Sequence, residues 1–293
     1  MIPYDKRSGK IWYNGELVDW SDVKLHVLSH GLHYASCVFE GERVYDGSIF
    51  KLEEHTSRLF HSAKRMGFEI PYSEDEINSA SKNIILNQKV ENGYVRPVAW
   101  RGSEMMAISA QQTKIHVAIA TWEWGSYFDP KLKVEGIRLN ISSWRRPAPD
   151  TIPWDTKASG LYMICTLSKH EAEKQGYTDS LMLDHEGNVA EATGANIFFK
   201  DKNGELHTPI PDSFLDGITR RTVIEIAKSK NIKVHERKIN PKELSNFVGC
   251  FLTGTAAEVT PVSCIADFKF KVCKMIIDLN ESYQSLVKKK KAA

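Results

Sequence analysis

A lysine stands where a rigid loop turns into an apolar segment of the chain. Lys157 follows the Pro- and Trp-rich run R-R-P-A-P-D-T-I-P-W of residues 145–154, and small residues and then an apolar stretch follow it. Lysine side chains usually keep their ammonium group in water. A lysine at the start of a buried helix therefore predicts a sheltered amine. Because burial disfavours the ammonium, the neutral amine becomes available as a nucleophile or a base.

Two segments in the second half of the chain have the composition of phosphate-binding turns. In L-D-G-I-T-R-R-T (215–222), Gly217 allows a tight turn, and the N–H groups of Ile218 and Thr219 open a helix. In L-T-G-T-A-A-E (252–258), a buried strand ends and a hydroxyl and unhindered backbone N–H groups follow, from Thr255, Ala256 and Ala257. Each segment alone is unspecific because such turns are common. Together they predict a phosphate site.

A cofactor that bears both a phosphate and an aldehyde is pyridoxal phosphate. It needs a lysine for its Schiff base and an acid for its pyridine nitrogen. Glu191 lies 34 residues after Lys157 and interrupts the otherwise apolar strand V-A-E-A-T-G-A-N-I-F-F, where an unpaired carboxylate would be costly. The alternative reading of Glu191 is a salt-bridged glutamate at the edge of a sheet.

Other cofactor and metal motifs do not occur in the sequence. There is no G-x-G-x-x-G, no G-x-x-x-x-G-K-[ST], no G-x-S-x-G and no H-E-x-x-H. His26, His30 and His33 recur at helical spacing and could hold a metal. Because no carboxylate or cysteine accompanies them, we interpret them as a helix or loop with a packed histidine, and we expect no metal.

Composition narrows the class of protein. The 293 residues are 42% apolar and 26% charged, with a formal net charge of +2, so charge gives no case for nucleic acid. The five cysteines are odd in number and form no C-x-x-C, which argues against a disulfide framework or a zinc site. There is no apolar signal region at the start and no membrane-length apolar run. We expect a cytoplasmic protein.

Strand and helix signals alternate along the whole chain. A hairpin is predicted over 10–18 around Asn14-Gly15, and two strands over 36–50 turn at Asp46-Gly47. Antiparallel strands mixed with helices favour an α+β fold. The predicted domains are a small N-terminal domain over 1–123, a linker over 124–133 and a larger C-terminal cofactor-binding domain over 134–293.

The order of these segments resembles the fold-type IV pyridoxal-phosphate enzymes, and most of all the branched-chain amino acid aminotransferases. The resemblance runs from about Ile11 to Val262. It includes A-P-D-T-I-P-W-D-T-K-A-S-G-L-Y, E-A-T-G-A-N-I-F, L-D-G-I-T-R and T-G-T-A-A-E-V-T-P-V, in order and at family-like spacing. It implies a small α/β domain and a larger domain with a barrel-like mixed sheet.

The resemblance assigns a role to individual residues. Lys157 matches the Schiff-base lysine, Glu191 the partner of the pyridine nitrogen and Tyr162 the residue bonded to the ring hydroxyl. The remaining cofactor residues match a phosphate cup formed by Arg58, Gly217, Ile218, Thr219 and Thr255. Without the resemblance, Arg58 reads as a surface helix residue.

The substrate residues are also implied only by the resemblance. Ala256 and Ala257 match backbone donors to the α-carboxylate. Residues that meet the distal carboxylate of glutamate are matched by Tyr34, Arg96 and Tyr127. Walls of the apolar side-chain pocket are matched by Phe39, Trp124 and Tyr162. The sequence departs from the family pattern at the loop 101–111, which carries two methionines, and after Val262, where a glycine-rich turn and a Gly-Pro are missing.

The implied activity is amino transfer from L-leucine, L-isoleucine or L-valine to 2-oxoglutarate, in branched-chain amino acid biosynthesis. A D-amino acid or (R)-amine aminotransferase and an aminodeoxychorismate lyase on the same fold remain alternatives, as does a non-catalytic binding protein. The segments Y-V-R-P (94–97) and T-A-A (255–257) favour the branched-chain reading. The resemblance also implies a homodimer or a higher homo-oligomer, with neither a nucleic-acid nor a membrane partner.

Overall fold

A computed structural model describes residues 2–125 and 127–288 of the chain. The described residues form two compact units. The first runs to Gly125 and also contains Thr156–Gly160, while the second contains the residues between these segments and everything from Leu161 onward. Lys157 therefore groups with the first unit. The domain boundaries and the linker given by the sequence remain a prediction.

The first unit is built on an antiparallel sheet. Its described strands are β1 (Lys10–Tyr13), β2 (Glu16–Asp19), β3 (Cys37–Phe39), β4 (Glu42–Tyr45), β5 (Ser48–Ile49), β6 (Gly93–Arg101) and β7 (Ile115–Glu123). Their order is β2-β1-β7-β6-β4-β5, and β3 also pairs with β6. The helices of this unit are α1 (His30–Tyr34), α2 (Leu52–Arg65) and α3 (Glu74–Asn87).

Turn residues set the register of this sheet. Asn14 and Gly15 both have positive φ, 50° and 99°, as the two-residue turn of a hairpin requires. Asp46 and Gly47 do the same at 47° and 72° between β4 and β5. Both predicted turns are therefore confirmed. A capping box between Ser73 and Glu76 begins α3, which buries Ile77, Ile84 and Ile85.

The second unit is built on a mixed sheet. Its described strands are β8 (Ile137–Arg145), β9 (Asp179–Leu183), β10 (Val189–Ala192), β11 (Asn196–Lys200), β12 (Leu206–Thr208), β13 (Val234–Glu236), β14 (Gly249–Gly254), β15 (Glu258–Ile265) and β16 (Phe268–Lys269). Their order is β10-β9-β8-β15-β14-β11-β12-β13, and β16 also pairs with β15. The pairs β8–β9, β8–β15 and β12–β13 are parallel and the others antiparallel.

The helices of the second unit are α4 (Pro130–Glu135), α5 (Met163–Lys174), α6 (Ile218–Ser229) and α7 (Lys274–Val287). A 3₁₀ turn at Ser159–Tyr162 precedes α5, so the helix predicted after Lys157 begins only at Met163. The core of the unit extends across several strands of the sheet, since Leu181 of β9 and Leu252 of β14 belong to one buried cluster. The mixed and antiparallel sheets confirm the α+β prediction.

The segment after Val262 forms the hairpin of β15 and β16, in place of the glycine-rich turn expected of the family. The strands β15 and β16 meet at Ala266, whose φ is 46°. An alanine can occupy the left-handed region at a modest cost, so the turn closes without glycine. None of the helices formed by residues 2–125 and 127–288 has the length and apolar character that crossing a membrane would take.

Candidate active site

The backbone on either side of Lys157 is tied to the first unit. The Lys157 N–H donates to Ser62 Oγ at 3.0 Å, and the Lys157 carbonyl accepts from the Phe39 N–H at 3.1 Å. The next residue, Ala158, forms an antiparallel bridge with Val38. The loop therefore lies along β3 as a short extra strand, which fixes the origin of the lysine side chain.

The Lys157 amine lies over an aromatic ring that a second cation shares. Its Nζ is 5.0 Å from the centre of the Phe39 ring, and the Arg96 guanidinium carbon is 4.7 Å from the same centre. Burial lowers the pKa of Lys157, and the charges of Arg58 and Arg96 lower it further, against the opposing attraction of Glu40. The neutral amine predicted from the sequence is what this environment favours.

A fully buried carboxylate anchors the arginine that the resemblance assigns to the phosphate. Glu40 Oε1 and Oε2 accept from Arg58 Nε at 2.6 Å and Nη2 at 2.9 Å, and His55 Nδ1 lies 2.7 Å from Oε2. Burial alone would raise the pKa of Glu40, but the attraction of Arg58 and His55 outweighs it and holds that pKa well below its usual range. Arg58 is thus held in one orientation.

A second buried carboxyl lies two residues further along the chain. Neither oxygen of Glu42 has a hydrogen-bond partner among the described residues, and the side chain is fully buried. Burial raises the pKa of Glu42 well above its usual value, and the charge of Glu40 adds to the rise. Of the two acids, Glu40 is therefore the stronger one, and Glu42 holds its proton more tightly than an ordinary glutamate does.

Arg96 is positioned by aromatic side chains. Its Nη2 donates to the Tyr94 hydroxyl at 3.4 Å, and its Nε is buried without a hydrogen-bond partner in the described part of the chain. A Cβ on Gly41 would lie 1.8 Å from the Tyr94 oxygen, so the glycine leaves room for that hydroxyl. A buried, under-used guanidinium edge suits a carboxylate.

The other candidates in the first unit are placed less tightly. The Trp124 ring meets the Tyr94 ring edge-on at 4.7 Å, and its carbonyl accepts from Arg43 Nη1 at 3.1 Å. Tyr34 ends α1, is 42% exposed and stacks on His30 at 4.5 Å. Trp124 therefore borders the surroundings of Arg96, whereas Tyr34 lies at the surface of this unit.

In the second unit, Glu191 lies on β10 at the edge of the sheet. Its Oε1 is 3.5 Å from Arg146 Nε, and its Oε2 accepts from Asn196 Nδ2 at 3.4 Å. Arg146 also donates to the Cys165 sulfur at 3.4 Å. Both the predicted role and the salt-bridged alternative are compatible with this pair, because the Arg146 guanidinium lies beside the Glu191 carboxylate in either case.

Asn196 connects Glu191 to the start of α6. Its Oδ1 accepts from the Gly217 N–H at 3.1 Å, and its Nδ2 also donates to the Leu215 carbonyl at 3.0 Å. Gly217 has φ −67° and ψ 137°, a conformation open to any residue, so the tight turn expected from this glycine is wrong. The glycine is needed because a Cβ there would lie 2.1 Å from Asn196 Oδ1.

The first turn of α6 presents the N–H groups expected of an anion site. Ile218 and Thr219 are its first two residues and both are buried. The first N–H groups of a helix have no partner within the helix and carry its positive end. The second predicted segment contains Thr255, Ala256 and Ala257, which form the turn that joins β14 to β15. One predicted phosphate segment is thus a helix start and the other a turn between strands, and their role as a phosphate site remains a prediction.

Replacing Gly217 by alanine should displace Asn196 and loosen its hold on Glu191. We expect unfolding free energy to fall by about 1–3 kcal/mol, because the new methyl group overlaps the amide oxygen. Gly194→Ala is the matched control, since nothing lies within 4 Å of a Cβ built on Gly194. Chemical denaturation of both variants measures the difference. Equal stability of the two variants would show that Asn196 moves aside without cost.

The two remaining tyrosines belong to the second unit. Tyr162 lies at the junction of the 3₁₀ turn and α5, where its carbonyl accepts from Thr166 Oγ1 at 3.1 Å. Tyr127 is 46% exposed and packs edge-on against Phe128 at 4.7 Å. The roles of both tyrosines toward a ligand remain predictions.

The histidines suggested as metal ligands are packed or surface residues. His30 is buried, with Nδ1 3.0 Å from Ser36 Oγ and Nε2 2.8 Å from the Ala107 carbonyl. Among residues 2–125 and 127–288, the metal-capable group is instead Glu205, His207 and His235. Those two histidine rings stack at 4.7 Å with 14° between their planes. His235 Nε2 lies 2.6 Å from Glu205 Oε2, and His207 Nε2 lies 3.3 Å from Asp201 Oδ2, so each ring already has a carboxylate partner.

The sequence analysis missed several residues that hold the candidate residues in place. Glu40, His55, Tyr94, Arg146 and Asn196 were not singled out as functional, yet each fixes a candidate residue. The only sequence signal was a charge or amide inside an apolar stretch, as in F-E-G-E-R for Glu40. Strand alternation turns Glu40 to the face opposite Phe39, toward α2.

The residues fit pyridoxal phosphate on local grounds. Lys157 offers an amine with a lowered pKa, Glu191 a carboxyl group beside Arg146, and α6 a helix N-terminus whose glycine lets a neighbour approach closely. A phosphate, an aldehyde and a pyridine nitrogen need these three kinds of group.

Comparison with known proteins gives consistent matches. Residues 37–265 match the family model for amino-transferase class IV. A branched-chain-amino-acid aminotransferase of Pseudomonas aeruginosa is 43% identical over 87% of this chain and 84% of its own. The crystal structure of the Escherichia coli branched-chain amino acid aminotransferase matches with a TM-score of 0.93 and 35% identity, over 96% of this chain and 95% of the other. That of the Thermobaculum terrenum enzyme in its PLP form matches at 0.87 and 28%, over 95% and 93%.

Proposed function

We propose that this chain, which belongs to the class IV aminotransferase family, transfers the amino group of L-leucine, L-isoleucine or L-valine to 2-oxoglutarate. It is a pyridoxal-phosphate-dependent transaminase of the fold-type IV class. The relatives named as branched-chain aminotransferases support the substrate class. The observation that carries the proposal is the Phe39 ring, which bears Lys157 and Arg96 at 5.0 and 4.7 Å.

The proposed cofactor residues come from the candidates described above in the first and the second unit. Lys157 would be bonded to the cofactor, Glu191 would face the pyridine nitrogen and Tyr162 the ring hydroxyl. The phosphate would be held by Arg58, Gly217, Ile218, Thr219 and Thr255. When bound, pyridoxal phosphate supplies an aldehyde that bonds to an amine and a ring that accepts electrons released at the substrate Cα.

Lys157 acts as the acid–base group in this proposal. A neutral Nζ can accept the proton that leaves the substrate Cα, and the resulting ammonium can return it. Burial is the main cause of its lowered pKa, which shifts the side chain toward the neutral amine that accepts a proton. The Phe39 ring face stabilises the ammonium after it has formed.

Glu191 and Arg58 set the charges around the cofactor. The Arg146 guanidinium lies 3.5 Å from the Glu191 carboxylate, which would hold a positive pyridine nitrogen. Glu40 holds Arg58 by two hydrogen bonds, so the guanidinium is oriented before a phosphate binds. Neither residue needs to move a proton during the reaction.

The proposed substrate site must accept both an apolar side chain and a carboxylate. Backbone donors at Ala256 and Ala257 would bind the α-carboxylate. The apolar walls would be Phe39, Trp124 and Tyr162, and the distal carboxylate of glutamate would meet Tyr34, Arg96 and Tyr127. An arginine fork grips a carboxylate in two places, and its flat face also tolerates an apolar neighbour.

Arg96→Met tests this division of labour. The KM for 2-oxoglutarate should rise about 10- to 100-fold, because a charge-assisted contact to the distal carboxylate is lost. The KM for L-leucine should change far less, since its side chain meets only apolar surface there. Arg138→Met, which removes an exposed arginine over Tyr177, is the control. An equal rise in both KM values would contradict the role given to Arg96.

We also infer a homodimer or larger homo-oligomer, a cytoplasmic location and a biosynthetic role. The resemblance to the branched-chain aminotransferases supports the assembly and the pathway. The five cysteines are all free thiols, which suits a reducing compartment. Sedimentation of the purified protein tests the assembly, and a monomer at working concentration would contradict it.

A further inference from the structure

We propose that a cavity at the N-terminal edge of the first unit binds a small monocarboxylate with an apolar body. The cavity has a volume of about 270 Å³. The lining residues that matter for recognition are Lys6, Arg7, Trp20, Val90, Trp122 and Glu123. None of them belongs to the candidate residues of the transamination site.

Two of the residues that line this cavity each have a buried donor without an acceptor. Arg7 Nε and Trp122 Nε1 are both buried and both lack a hydrogen-bond partner among residues 2–125 and 127–288. A buried donor left unsatisfied costs about 1–3 kcal/mol. A ligand that brought a hydrogen-bond acceptor to each donor would remove both costs. The two donors therefore favour a ligand that has acceptor atoms.

The surroundings of Arg7 point to a carboxylate. The guanidinium carbon lies 4.6 Å from the Tyr4 ring centre and 5.9 Å from that of Trp122, so aromatic rings supply its protein contacts. In the described part of the chain, no carboxylate forms an ion pair with Arg7. Rings satisfy the face of a guanidinium but not its N–H edge, and a planar carboxylate fits that edge.

Charge and shape narrow the class of ligand further. The charged lining residues are Lys6, Arg7 and Glu123, which sum to +1. One carboxylate balances that charge, whereas a second would face Glu123. The Trp20 ring and the buried Val90 side chain give the rest of the cavity an apolar wall. A monocarboxylate with an aliphatic or aromatic body meets each of these surfaces.

The test uses the holoenzyme labelled with 5-fluorotryptophan and benzoate as the probe. The fluorine resonance of Trp122 is assigned by its loss in Trp122→Phe. This resonance should shift on titration with benzoate, and benzamide, the uncharged isostere, should leave it in place. A shift of equal size with benzamide, or no shift with benzoate, would overturn the proposal.

Variants then locate the carboxylate. Arg7→Met should weaken benzoate binding about tenfold or more, because a charge-assisted hydrogen bond is lost. Lys6→Met, which removes the neighbouring exposed cation, should change it far less. Arg96→Met should leave it unchanged, which separates this cavity from the transamination site. Binding that survives Arg7→Met, or that disappears with Arg96→Met, would contradict the assignment.

Discussion

Replacing Lys157 by methionine should abolish transamination while the fold remains intact. Turnover should fall at least about 10⁴-fold, because the amine serves both as the group bonded to the cofactor and as the proton carrier. Methionine is similar in length and removes an amine whose ammonium form is disfavoured by burial. Unfolding free energy should therefore be unchanged or slightly higher. Steady-state kinetics and chemical denaturation measure the two quantities.

Lys64→Met is the matched control for this variant. Lys64 is an exposed residue of α2, so its loss should leave turnover within about twofold of the parent protein. Lys157→Arg adds a second comparison, because arginine keeps a positive charge but cannot act as a neutral amine near pH 7. Substantial turnover in either Lys157 variant would remove this lysine from the mechanism.

Glu40→Gln should be the most destabilising single change in the first unit. It leaves Arg58 and His55 without the buried carboxylate that both contact at 2.6–2.9 Å. Removing one partner of a buried ion pair costs about 3–5 kcal/mol. Glu54→Gln in α2 is the control, since its 3.3 Å pair with Lys51 is at the surface and should matter by less than about 1 kcal/mol.

The cost of Glu40→Gln should also depend on pH. The pKa of Glu40 is depressed in the folded protein, so its stabilising effect is fully present above the ordinary value of about 4.5 and is lost as pH falls toward the folded value. The stability curves of the parent and the variant should therefore converge in acid. A difference that stays constant from neutral pH to about pH 3 would show that Glu40 acts through packing and not through its charge.

Local signals in the sequence were sufficient for much of the fold. The Asn14-Gly15 and Asp46-Gly47 turns were predictable because each needs two residues that tolerate positive φ. The sheets follow from strand patterns that local turns bring into register. The start of α5 was not predictable to the residue, because the 3₁₀ turn at Ser159–Tyr162 depends on how Lys157 is held by Ser62 and Phe39.

Some residues of the candidate site could also be predicted from local sequence signals, whereas others could not. Lys157, Glu191 and the two phosphate segments were visible as residues whose types did not suit their surroundings. Arg58 was not visible in this way. The helical pattern does not indicate that its guanidinium contacts Glu40, which lies 18 residues earlier in the chain. Pairings over such distances are set by tertiary packing.

Gly217 shows how a correct prediction can have the wrong physical reason. The sequence suggested a glycine that makes a tight turn, and the helix does begin at the next residue. The backbone at Gly217 is ordinary, however, and the constraint is the Asn196 side chain against it. Close approach between distant residues cannot be inferred from a single segment.

The central claim is tested most directly by the absorption spectrum of the purified holoenzyme, titrated separately with L-isoleucine, D-alanine and (R)-1-phenylethylamine. The proposed function predicts that L-isoleucine alone converts the bound pyridoxal form to the pyridoxamine form, and that 2-oxoglutarate restores it. Conversion by D-alanine or the amine, with no response to L-isoleucine, would contradict the branched-chain assignment and the substrate roles of Arg96, Ala256 and Ala257.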